Sequence, residues 1–213
     1  MKRKAVLALM QTRFYAWLLL HVIPYIRFTT YYTSLRGWKY QRGYKLLQPG
    51  DILLTLDRKK LTTLLIPGEF SHAAVCVDKG SEWEISEMTH TDYTKSCFFD
   101  ICKEADRVVI LRCKDFDSEY RENFIAACKS FDNARYDLRF DMALQQKGFS
   151  CAVLACSELP YQSDFEHRCR VDSTDTVGLG MPYVSPNDWW EATKINSPNM
   201  FVAWDSDKEV NSE

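Results

Sequence analysis

Three side chains in this sequence have the types needed to attack a carbonyl carbon: Cys156, His72 and Glu87. A thiol attacks only as thiolate, and a free cysteine titrates near ~8.5, so a catalytic cysteine needs an adjacent imidazole or a helix N-terminus. Cys156 is followed by Ser157, Glu158 and Leu159, which read as a first helical turn with Glu158 favourable at the positive end of the dipole. By position alone, a buried structural thiol fits this apolar run as well as a nucleophile does. Of the four histidines (21, 72, 90 and 167), His72 alone opens a clearly predicted strand, where the backbone holds a side chain still. A histidine there serves as a base only when paired, and otherwise as a satisfied core or rim residue. A third group must accept the other ring proton of the base. Glu87 lies on the following strand, within cross-strand reach of His72, and strict alternation puts it on the face of Trp83 and Ile85, opposite Glu84 and Ser86. It either faces a site or marks the exposed end of the strand.

The elements that would hold these residues can be read from the hydrophobic pattern. Pro49 and Gly50 turn the chain into a buried strand over 51–56. Ser71 to Val77 is a second short strand, Asp78, Lys79 and Gly80 make a turn, and Glu82 to Met88 alternates with period two, so that the two segments form a hairpin. Arg107 to Cys113 is a β-branched strand. Asp117 or Ser118 caps a helix running to about Phe131, with Tyr120, Phe124, Cys128 and Phe131 on one face. A further helix is expected to begin near Cys156. The order of elements predicts an α+β fold, a small antiparallel sheet or partial barrel with packed helices. The polar tail from residue 205 to 213 is expected to fray.

Five segments in order, LQPGDILL (47–54), FSHAAVCV (70–77), EISEM (84–88), ARYDLRFD (134–141) and CSELPY (156–161), resemble the successive motifs of the permuted NlpC-type, papain-like cysteine hydrolases, in their YiiX- and YebB-like branch. Ordinary papain-like enzymes place the cysteine before the histidine; this branch reverses the order, as this chain does. The resemblance covers about Leu46 to Trp190. It implies that Cys156 is the nucleophile, His72 the base, Glu87 the residue that orients the imidazole, and Tyr136 a substrate-pocket residue. It implies an oxyanion hole of backbone N–H groups near the nucleophile, that of Cys156 included. The expected activity is hydrolysis or acyl transfer at an amide of a peptide-like or lipid-linked substrate, through an acyl-cysteine, with no cofactor. The alternative is an inactive module that keeps the fold as a pocket for acyl chains or peptides. Pro160 departs from the family pattern, and it is tolerable only if it falls in the first turn of the helix after the nucleophile.

The whole chain sets further bounds. Its 213 residues, 46% hydrophobic and 26% charged, suit a protein with a real core, divided as a basic, aromatic helical appendage over 1–45, a hydrolase domain over 46–204 and the tail. The net charge of -2 conceals an asymmetry: the first fifty residues hold nine basic side chains and no Asp or Glu, against 18 basic and 29 acidic in the remainder. Such a split suggests an anionic partner for residues 1–45, either a membrane surface or the acidic body of the protein itself. The apolar run Phe14 to Ile26 is shorter than the ~20 residues of a membrane span. A helix packed on the body and a helix lying in the membrane interface both fit it. A cytoplasmic protein, peripheral to the membrane, is the expected setting; export is the alternative if residues 1–30 act as a signal. Eight cysteines without a CxxC or a zinc-type spacing argue against a structural metal and favour a reducing compartment. Nucleic acid is not an expected partner, since the basic region matches no recognised module and the body is acidic.

Overall fold

The computed structural model describes residues 12–27, 35–61, 63, 68–136, 153–154, 158–164, 168–169, 171, 184–194 and 199–208. In chain order the elements are α1 (Arg13–His21), a 3-10 turn (Ile23–Tyr25), α2 (Trp38–Leu46), β1 (Ile52–Leu56), β2 (His72–Lys79), β3 (Trp83–Met88), β4 (Tyr93–Cys97) and α3 (Phe98–Glu104). There follow β5 (Arg107–Cys113), α4 (Ser118–Ser130), β6 (Arg135–Tyr136), β7 (Val153–Leu154), α5 (Glu158–Ser163), α6 (Pro186–Lys194) and β8 (Met200–Asp205). A six-stranded antiparallel sheet runs in the order β4-β3-β2-β1-β5-β8, and β6 and β7 form a separate parallel pair. The fold is α+β.

Alternation along the strands divides the interior in two. Ile52, Leu54, Ala73, Val75, Val109 and Leu111 face a core shared with Tyr120, Phe124 and Cys128 of α4, Leu159 of α5 and Trp189 of α6. Leu53, Ala74, Cys76, Ile85, Val108 and Ile110 face the opposite way, onto Phe98, Ile101 and Cys102 of α3, with Tyr40 and Tyr44 of α2 packed against them. Helices therefore cover both faces. The side chain of Asp117 accepts the Tyr120 N–H at 2.7 Å and caps α4.

Several elements lie outside the sequence-based expectation: β4 with α3, α6, and β8 at the sheet edge. The chain is also held beyond residue 204. Asp205 and Ser206 are buried, and Asp205 takes two hydrogen bonds from Arg107, so the last described residues belong to the sheet rather than to a frayed tail. At the other end, Leu35 and the α2 tyrosines join the second core, and Gly43 lies so close to the Trp204 indole that a Cβ there would sit 2.9 Å from the ring. Residues 35–46 are thus part of the body, although the charge pattern assigns most of them to an appendage.

Candidate active site

β2 and β3 bring His72 and Glu87 together. His72 pairs with Thr55 of β1, and Ala74, two residues on and on the same face, pairs with Glu87 of β3. His72 and Glu87 are therefore diagonal cross-strand neighbours, a separation long side chains can close. They do close it: the imidazole Nε2 lies 2.7 Å from Glu87 Oε2. An ionised carboxylate only accepts, so Nε2 carries a proton; in the neutral imidazole that leaves the lone pair on Nδ1, the form a general base requires.

This meeting depends on an irregularity. From the turn, Lys79 pairs with Trp83 and Asp78 with Glu84, but then Cys76 pairs with Ile85, leaving Val77 as an extra residue on β2. Without that bulge Glu87 would fall opposite Val75 and point to the other face of the sheet, since a one-residue slip inverts every side chain. The bulge rephases the hairpin so that the carboxylate shares the face of His72.

The carboxylate is held from a third strand as well. Ser96 of β4 donates its hydroxyl to Glu87 Oε1. Burial alone would raise the Glu87 pKa, but the hydrogen bond and charge of His72, the Ser96 hydroxyl and the charge of Lys60 outweigh it, and the group is held below its ordinary value. Its side chain is 12% exposed and that of His72 25%, so the carboxylate is shielded while the imidazole stays open to solvent at the start of its strand. Ser96 is a residue of the candidate site that sequence reasoning missed. Only its place on β4, diagonal to Glu87 through the Ile85 and Thr94 pairings, reveals it.

The backbone entering β2 is clamped. Asn187 of α6 accepts the N–H groups of Glu69 and Phe70 at 2.5 and 2.8 Å and donates to the Phe70 carbonyl at 2.9 Å. Gly68 (φ 112°) lies so close to Asn187 that any Cβ would overlap its amide. The Arg107 guanidinium, paired with Asp205, sits 5.1 Å from the Phe70 ring and 5.2 Å from that of Trp190. Two residues ahead of His72, the chain is therefore fixed from both sides.

Cys156 lies outside the described residues, and so do its two chain neighbours. The segments on either side are described. Val153 and Leu154 pair with Arg135 and Tyr136, and the Arg135 backbone forms an isolated antiparallel β-bridge with Asp92 in the turn that follows β3. α5 begins at Glu158 and packs against α4 and β2, with Leu159 fully buried. Pro160 is the third described residue of that helix. Asp164 N–H closes onto the Pro160 carbonyl at 3.1 Å. Tyr136 is half-buried, and its N–H donates to the Thr91 carbonyl at 3.1 Å.

The described cysteines at 76, 97, 102, 113, 128 and 169 are free thiols. Burial pushes the thiols of Cys76 and Cys102 up and that of Cys128 up to about 12, which makes them inert at neutral pH. Cys113, also buried, is held below its ordinary value, first by a hydrogen bond from Cys169. Among the described residues no group of three or more His, Cys, Asp or Glu could hold a metal ion, and no helix is long and apolar enough to cross a membrane.

Comparison with known proteins bears on this geometry. A crystal structure described as the metalloprotein yiiX from Escherichia coli O157:H7 superposes with a TM-score of 0.54 at 18% identity, covering 73% of this chain and 95% of that one, a likeness of fold. No curated protein matches the chain by sequence. Residues 46–203 match the family model described as permuted papain-like amidase enzyme, YaeF/YiiX, C92 family. With most of its length inside that match, and with a sheet and helices that fit a permuted papain-like fold, the chain belongs to the permuted papain-like amidases of the YaeF/YiiX type.

Proposed function

We propose that this protein opens an amide bond of a peptide-like or lipid-linked substrate with Cys156 as nucleophile, His72 as general base and Glu87 as the residue that orients the base. Nδ1 of His72 takes the thiol proton, and the thiolate adds to the amide carbonyl. The imidazolium returns that proton to the departing amine, leaving an acyl-Cys156 thioester. Water, or another acceptor deprotonated by the same nitrogen, then releases the acyl group and restores the thiol. The base contributes about 10²–10⁴-fold to such a step. Glu87 stabilises the imidazolium that forms and keeps the proton on Nε2. Tyr136, next to Leu154 on the paired strand, is the proposed wall of the acyl pocket.

The observation that carries the reading is the 2.7 Å bond from His72 to a buried, depressed carboxylate. Support for Cys156 comes from its flanks. Only two chain steps separate it from Leu154, whose ladder reaches the turn after Glu87, and two more from α5, which packs on the strand that carries His72.

Trapping the intermediate tests this. Incubation with an activated acyl amide followed by acid quench should give an adduct of the acyl mass on the Cys156 peptide. That adduct should be absent in Cys156→Ser and strongly reduced in His72→Ala. A protein that binds the amide without forming any adduct would instead be an inactive binding module.

A further inference from the structure

α1 carries an aromatic stripe that nothing in the described fold covers. Phe14 is 63% exposed and Trp17 51%, and their rings stack with centroids 6.3 Å apart. The Trp17 ring continues to His21 at 5.9 Å. Spacings of three and four residues put all three on one face of the helix. The stripe extends past the helix into Tyr25, 68% exposed, and Ile26, 38% exposed. Ile23 is buried, and burial raises the pKa of Tyr15, so the segment has a side that meets the protein and a side that does not.

Charge decides what can meet that face. Arg13 and Arg27 bracket the stripe, within a fifty-residue region that has nine basic side chains and no acidic one. A second copy docking through the same face would set cationic region against cationic region. An anionic lipid surface is complementary to it, whereas the rest of the chain, with 29 acidic side chains against 18 basic, carries the opposite net charge. Nine residues of helix cannot cross a bilayer, but aromatic rings flanked by arginine suit a helix lying at headgroup depth.

The segment also reaches the elements around the candidate site. The Tyr25 hydroxyl is 3.5 Å from His90 Nε2, and the two rings meet edge-on. Ile26 accepts the Leu61 N–H at 3.1 Å through its carbonyl, and the Arg27 backbone forms an isolated antiparallel β-bridge with Lys60, one of the charges that acts on Glu87. We propose that the Phe14–Trp17–Tyr25 face seats on an anionic phospholipid surface, so that the amide opened by the enzyme is carried by a lipid. The choice of substrate rests on the function proposed above; the docking does not.

Two measurements on the full chain keep these apart. In the first, without substrate, protein is sedimented with extruded vesicles of phosphatidylcholine alone or with phosphatidylserine added. Binding should require phosphatidylserine and weaken as salt is raised. Phe14→Ser with Trp17→Ser should lower the partition coefficient about tenfold or more at an unchanged thermal midpoint. No binding to phosphatidylserine vesicles, or equal binding by the double variant, overturns the docking. So does a wild type that sediments as a dimer and becomes monomeric in the double variant, because a second copy then covers the face. In the second, one acyl amide is presented in these vesicles and, as a short-chain form, in solution. A higher kcat/KM for the vesicle form, lost in the double variant, is expected; preference for the dissolved form overturns the lipid-borne substrate. Absence of turnover on both forms with vesicle binding intact would count against the catalytic reading alone.

Discussion

At the scale of single residues, the site is a proton path held by two oxygens of one carboxylate. Glu87 takes Nε2–H of His72 on one oxygen and the Ser96 hydroxyl on the other. Glu87→Gln keeps the shape but offers an amide that can hold the wrong tautomer, so kcat/KM should fall by about 10²-fold or more. Ser96→Ala removes one hydrogen bond and should cost about 1 kcal/mol of stability with a smaller loss of rate. The depressed Glu87 pKa fixes the sign of a pH effect. Its ordinary value is 4.5, so the stability it contributes is complete above that value and is lost as pH falls through the lower, folded-state pKa. Thermal midpoints of wild type and Glu87→Gln should therefore differ above pH 4.5 and converge below it. His72 and Glu87 could be picked out in the sequence because one opens a short apolar run and the other lies in an alternating segment across the next turn. Ser96 was not, because YTKSC carries a single large apolar side chain and no pattern to mark a strand.

At the scale of elements, what positions the site is register. The bulge at Val77 turns Glu87 onto the face of His72, and no pattern of apolar residues announces it, since Val77 is as buried as a regular strand residue would be. The α4 helix was fully legible: its cap, its length and its buried face follow from Asp117 and the spacing of Tyr120, Phe124 and Cys128. The α6 helix has no counterpart in the sequence-based expectation; Pro186, Asn187 and Asp188 form its buried first turn. That helix has a job in the site, since Asn187 holds the chain just ahead of β2. Asn187→Ala leaves the N–H groups of Glu69 and Phe70 without their acceptor, and the cost should be about 1–3 kcal/mol in urea denaturation. If the clamp also fixes His72, activity should fall further than the population of folded protein does.

At the scale of the whole molecule, the histidine precedes the cysteine in the chain, and the sheet is completed by β8, beyond both. The sequence shows that order plainly, but it hides the closing strand, because WDSDK looks like the start of a polar tail. Asp205 pairs with Arg107 at 2.6 Å, with side chains 2% and 7% exposed, so Asp205→Ala removes two charged hydrogen bonds, leaves Glu69 as the remaining close partner of a buried guanidinium, and should destabilise by about 1.5–3 kcal/mol. The N-terminal segment behaves differently. Arg27 and Glu104 pair at 3.1 Å with both side chains substantially exposed, and such pairs contribute about 0–1 kcal/mol. A chain lacking residues 1–27 also loses buried Ile23 and the backbone bond to Leu61, so its denaturation midpoint should fall modestly, whereas one cut after residue 46 loses Leu35, Tyr40 and Tyr44 from the second core and should not fold stably. The most direct test of the account asks whether the late thiol meets the early imidazole. Alkylation by iodoacetamide is followed across pH, with the modified peptide identified by mass so that Cys113 is not mistaken for the nucleophile. The account predicts that Cys156 reacts rapidly well below pH 8 and that His72→Ala shifts this reactivity to the alkaline range of an ordinary thiol. A Cys156 that stays unreactive, or whose profile is the same with and without His72, would contradict it.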